Sequence, residues 1–175
     1  MKRLAALLAA GMLAAVARAV PSPPAAAPGP TPESRAHATR TQASKLASVK
    51  GELELGPEHS SYTAYLQGEA VVYVDERVTT ADHRTRHRRY YFDNGAIYYY
   101  DAEVAAHAVG GGASATGPSV PVQVEWNSMG QAVKAVRIEH YGPVKLDPPS
   151  ITAITTRAGL LLKLATEQWR AAHAH

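Results

Sequence analysis

Arg86 to Glu103 reads RHRRYYFDNGAIYYYDAE, two runs dense in Tyr, Phe and Ile on either side of Asn94-Gly95. Asn-Gly tolerates the positive φ angles of a two-residue type I′ turn, so the stretch predicts a β-hairpin. With that turn, Asp93 faces Ala96, Phe92 faces Ile97, Tyr91 faces Tyr98, Tyr90 faces Tyr99, Arg89 faces Tyr100, Arg88 faces Asp101 and Arg86 faces Glu103. Directly opposed residues share a face. One face then carries Phe92, Ile97, Tyr90, Tyr99 and the ion pairs Arg88–Asp101 and Arg86–Glu103. The other carries His87, Arg89, Tyr91, Tyr98 and Tyr100.

Outward from the hairpin the pattern stays that of a meander. Val49, Leu53 and Leu55 alternate with Lys50, Glu52 and Glu54, a half-buried strand. Tyr62–Leu66 and Glu69–Val78 follow, joined at Gln67-Gly68. Beyond the hairpin, Val104 to Pro121 is a Gly- and Ala-rich loop. Its glycines are no phosphate cradle, because the Lys and Ser/Thr of a P-loop are missing. Val122–Trp126 and Ala132–His140 make a second hairpin around Asn127–Gly130. Ile151, Ile154, Ala158, Leu161, Leu162, Ala165 and Trp169 fall in one sector at about 100° per residue, a helix fit to lie across a sheet. The fold class expected is α+β: an antiparallel meander of about five to seven strands with the C-terminal amphipathic helix on one face. Leu160 and Leu164 lie outside that stripe and are expected to touch a second subunit or the segment Val104 to Val109.

The amino terminus reads as export. Met1-Lys2-Arg3, the apolar run Leu4 to Val16 and Ala17-Arg18-Ala19 have the layout of a signal peptide over residues 1–19. The apolar run is shorter than the roughly 20 residues of a membrane span, and no second long apolar run follows, so no span is expected in the mature chain. Residues 20–44, rich in Pro and Ala at first, are expected to be a flexible linker, and residues 45–172 a single domain. Any helix after Thr31-Pro32 is expected to be marginal for want of an apolar stripe. The expected location is periplasmic or secreted.

The chain has no cysteine, which removes a disulfide framework, a thiol nucleophile and a lipidated Cys. Its formal charge is +3, and the basic residues gather at His83, Arg84, Arg86, His87, Arg88 and Arg89. That is a local patch, not the broad basic surface of a nucleic-acid binder. His83 and His87 would stand roughly 13 Å apart along a strand, too far to share a metal. No nucleophile, metal or cofactor motif is found, so neither an enzyme nor a cofactor is expected.

The resulting expectation is a non-catalytic binding module presenting Arg89, Tyr91, Tyr98, Tyr100 and His87 to a protein or an anionic envelope polymer. Tyr- and Arg-rich surfaces are enriched at interfaces. One alternative is an envelope hydrolase using a carboxylate pair among Asp75, Glu76, Asp101 and Glu103. Another is a structural envelope component.

Overall fold

The computed structural model describes residues 29–55, 58–79, 85–105 and 119–174. Residues 1–19, expected to be a signal peptide, the first part of the expected linker and most of the Gly- and Ala-rich stretch lie outside the described residues.

Eight strands run in chain order across one antiparallel sheet: β1 (Ala47–Leu55), β2 (Glu58–Gln67), β3 (Ala70–Thr79), β4 (Thr85–Asp93), β5 (Ala96–Ala105), β6 (Ser119–Trp126), β7 (Ala132–Glu139) and β8 (Gly142–Lys145). The α+β meander is therefore as expected, with one strand more than the upper bound because Gly142–Lys145 folds back on β7. Helix α1 (Pro32–Gln42) covers one face and α2 (Pro148–Ala172) the other.

Turn chemistry sets the strand ends. Asn94 and Gly95 have φ of 49° and 79°, both in the left-handed region that a type I′ turn requires. In the β6–β7 turn the Asn127 carboxamide oxygen accepts from the backbone N–H of Met129 at 3.0 Å and of Gln131 at 2.9 Å, closing the loop from within.

The α2 face holds the larger core. Tyr90, Phe92, Tyr100, Val124 and Trp126 pack there with Ala158, Leu161 and Ala165, and Ile151, Ile154, Leu162 and Trp169 lie half-buried around them. This is the stripe read from the sequence. Asp147 caps the helix, its carboxylate accepting from Ser150 N–H at 2.8 Å and Ser150 Oγ at 3.0 Å.

The second face is closed by α1, within the stretch expected to be a linker. Thr31 Oγ1 accepts from Ser34 N–H at 3.2 Å and Pro32 begins the helix, so the cap is as the sequence allows. What stabilises the helix is not its own apolar stripe. Ala36, and Ala43 in the turn just after the helix, bury against Tyr73, Tyr91 and Tyr99, so the sheet supplies the large rings and the α1 segment only small side chains.

Close approach governs one strand position. Tyr62 lies over Gly51, and a Cβ at Gly51 would sit 2.7 Å from the Tyr62 ring Cε1. The ring is held in place, for its hydroxyl meets Gln168 Oε1 at 3.4 Å while Gln168 Nε2 donates to Lys50 O at 2.6 Å. Gly51→Ala is expected to lower stability by roughly 1–3 kcal/mol in urea titrations, and by less when Tyr62→Leu is also present. Equal losses in the two backgrounds would show that the ring is not what excludes the methyl group.

Candidate functional site

The hairpin register departs from expectation at one residue. Asp93 faces Ala96 and Phe92 faces Ile97, but Tyr98 is bulged, so Tyr91 faces Tyr99, Tyr90 faces Tyr100, Arg89 faces Asp101 and Arg88 faces Ala102. An extra residue on one strand moves every later partner by one. Tyr99 and Tyr100 thereby exchange faces, and the expected pair Arg88–Asp101 is replaced by Arg89–Asp101 at 2.6 Å. Arg88 instead makes two bonds to Glu58, at 3.0 and 3.1 Å.

Of the residues expected to form a binding face, His87, Arg89, Tyr91 and Tyr98 share the α1 side, whereas Tyr100 is buried in the core under α2. Tyr91 is also buried, beneath α1. Its hydroxyl donates to Asp101 at 3.1 Å, and burial, then the Asp101 charge, pushes its pKa far above the usual value. Arg35 of α1 stacks on Tyr98 with its guanidinium carbon 4.4 Å from the ring centre and pairs with Asp93 at 2.7 Å. The face expected to be a bare Tyr and Arg surface is largely occupied by the chain's own helix.

The carboxylates separate as well. Asp75 and Glu76 project from opposite faces of β3: Asp75 Oδ1 meets His87 Nδ1 at 3.0 Å on the α1 side, and Glu76 is buried under α2. Asp101 is engaged by Arg89 and Tyr91. Glu103 is exposed on β5. No group of three or more His, Asp or Glu that could hold a metal ion occurs among the described residues.

The feature that sequence reasoning missed lies under α2. Glu76 is 0% exposed and accepts from both Nε and Nη2 of Arg157 at 2.7 to 3.0 Å, from Ser60 Oγ at 2.8 Å and from Tyr90 OH at 3.0 Å. Arg157 also reaches Glu58 at 3.3 Å. Arg88, Glu58, Arg157 and Glu76 thus form one balanced chain of charge between sheet and helix, with every buried polar side-chain atom among the described residues partnered. Arg157 lies three residues from Ile154 and four from Leu161, within the apolar sector of α2, and a charge in that stripe was the available signal.

Beside this network the helix stands off the sheet. The register sets Arg88, Ala102, Val122 and Arg137 side by side across β4, β5, β6 and β7. Between the arginines of this row lie only short side chains, and Val122 lines a space between the sheet and α2. This space is a cleft of about 790 Å³. Tyr90, Tyr100 and Val122 line its sheet side, Ile154 and Leu160 its helix side, and Leu146 the end near β8. Its charged lining is Arg86, Arg88, Arg137 and Arg157 against Glu58. The volume lies within the range of about 300–1,000 Å³ common for small-molecule sites. Leu160 and Leu164 were expected to touch a second subunit or the segment Val104 to Val109, most of which lies outside the described residues; Leu160 lines this cleft and Leu164 packs half-buried on the main core.

Comparison with protein-family models, with curated proteins and with solved structures gives no match to this chain.

Two outcomes follow from the charge network. Arg157→Met leaves Glu76 buried without its counter-charge and is expected to cost about 3–5 kcal/mol in denaturant unfolding, of which Arg157→Met with Glu76→Leu regains about 1 kcal/mol or more. A double variant no more stable than the single would show that the pair is not coupled. Separately, the Arg88 hydrogen bond and the arginine charges nearby hold the Glu58 carboxyl below its usual 4.5, against partial burial, which raises it. A depressed folded-state pKa stabilises the protein above the unfolded value, and that contribution is lost as pH falls through the folded one. Glu58→Gln should therefore flatten the decline in melting temperature below about pH 4.5, and an unchanged acid limb would exclude the contribution.

Proposed function

We propose that the protein is a non-catalytic binding module for a small, partly apolar ligand held in the cleft between α2 and the sheet. One observation carries this reading: a cleft of about 790 Å³ whose apolar lining, including Tyr100, Val122, Ile154 and Leu160, adjoins arginines at Arg86, Arg88 and Arg137. Apolar walls with a few convergent polar groups are the usual make-up of a ligand site. Binding rather than catalysis is favoured by the carboxylates. Glu58 in the cleft lining, Glu76 behind it and Glu139 beside Arg137 are each engaged by arginine, and Asp75 lies on the other side of the sheet, so among the described residues no pair there is arranged for acid and base roles.

Export to the periplasm or cell exterior is part of the proposal. It is supported by the basic start, apolar run and A-x-A site at the amino terminus. Among the described residues no helix is long and apolar enough to cross a membrane.

The neutral fluorescent reporter N-phenyl-1-naphthylamine provides the test. Its emission should rise on adding the parent protein, and Leu160→Trp, which places an indole in the cleft wall, should weaken that binding about tenfold or more while circular dichroism is unchanged. Equal binding to parent and folded variant would overturn the cleft as the site.

A further inference from the structure

The cleft's charges are not equivalent. Arg88 and Arg157 are balanced by Glu58 and Glu76, each carboxylate bonded to an arginine. Arg137 is placed differently. It stands three strands from Arg88 along the same row, with Val122 beside it on β6 and Val144 beside it on β8. Its carboxylate partner is Glu139, two residues away on its own strand, which accepts from Nε at 2.7 Å. The Arg137 side chain is 26% exposed and that of Glu139 35%. The Arg88–Glu58 pair is about as exposed, at 23% and 33%, but Glu58 there also binds Arg157 under α2, whereas Arg137 and Glu139 pair along one strand, and such a water-exposed pair is weakly held. An incoming anion can take the place of Glu139 on the guanidinium without leaving a buried charge unpaired. Displacing Glu58 or Glu76 would break the network that seats α2.

Resting on the cleft reading above, we infer that the ligand is a single-chain amphiphile with an anionic head, a carboxylate or a phosphate ester, whose head binds Arg137 and whose tail runs along Val122, Tyr100, Ile154 and Leu160. The planar guanidinium fork suits either oxyanion, because both present two oxygens at matching separation. Apolar residues are offered to the tail by both the sheet, through Tyr100 and Val122, and α2, through Ile154 and Leu160, and Leu146 lies at the end near the head. Glu139 in this arrangement competes with the ligand head, so its charge weakens binding.

Competition against the neutral reporter distinguishes the parts. With the parent chain, dodecanoate or dodecyl phosphate should displace the reporter at concentrations at least about tenfold below those of dodecanol, with dodecyltrimethylammonium weakest. Arg137→Gln should bring the anions to within about twofold of dodecanol measured on the same variant, while Arg137→Lys retains part of the preference. Glu139→Gln should tighten both anions a few fold, a gain that a merely structural role for the Arg137–Glu139 pair would not produce. Whichever of the two heads surpasses dodecanol supports the inference and assigns the head chemistry. Equal displacement by dodecanol and both anions overturns it, and the cleft reading then still stands if Leu160→Trp abolishes reporter binding. Reporter binding that ignores Leu160→Trp overturns the cleft reading itself.

Discussion

Glu76 is the constraint on which the α2 side of the molecule depends. A carboxylate with no exposure must be given hydrogen bonds in place of water, and here they come from Ser60, Tyr90 and Arg157. Two of those partners are on the sheet and one is on α2, so the ion pair specifies where along the sheet α2 rests and how it is turned. A hydrophobic stripe alone would permit neighbouring placements of the helix at similar free energy. The buried pair is weak as a source of net stability, because desolvating two ions offsets most of their attraction. Its effect is on placement, and the placement leaves the cleft open beside it.

The two faces of the sheet are closed by opposite means. On the α2 side the helix brings Leu161 and its apolar neighbours to meet Tyr90, Tyr100 and Trp126. On the α1 side the rings belong to the sheet: Tyr65, Tyr73 and Tyr91 stack across β2, β3 and β4 with centres 5.2 and 4.9 Å apart. A helix that meets such a layer needs small residues so that its backbone can come close. Ala36 and Ala43 meet that need, helped by the Arg35 contacts at one end.

This division explains what was legible in the sequence. The meander, the Asn94-Gly95 turn and the α2 stripe follow from periodicity and turn chemistry, which act locally. Helix α1 is not legible because it carries no apolar stripe of its own, and the apolar surface it covers lies on the strands. The bulge at Tyr98 could not be placed: in Tyr98-Tyr99-Tyr100 all three side chains are alike, so the sequence gives no preference for which one is left unpaired. That single residue decided which tyrosines lie under which helix. The cleft was also out of reach, since it arises where Ala102 and Val122 come side by side across strands and Arg157 arrives from a distant part of the chain.

The strand order has a consequence for how the molecule assembles. Every strand pairs with its neighbours in sequence, so apart from residues 106–118 between β5 and β6 the sheet closes through short connections and its contacts are near in sequence. The long-range connections are made by the helices, as in Arg157 with Glu76, separated by 81 positions, and Gln168 with Lys50, separated by 118. Loop-closure entropy favours the near contacts first. Hairpins can therefore zip together before α2 docks, and the cleft exists only once that last step has joined the two ends of the chain.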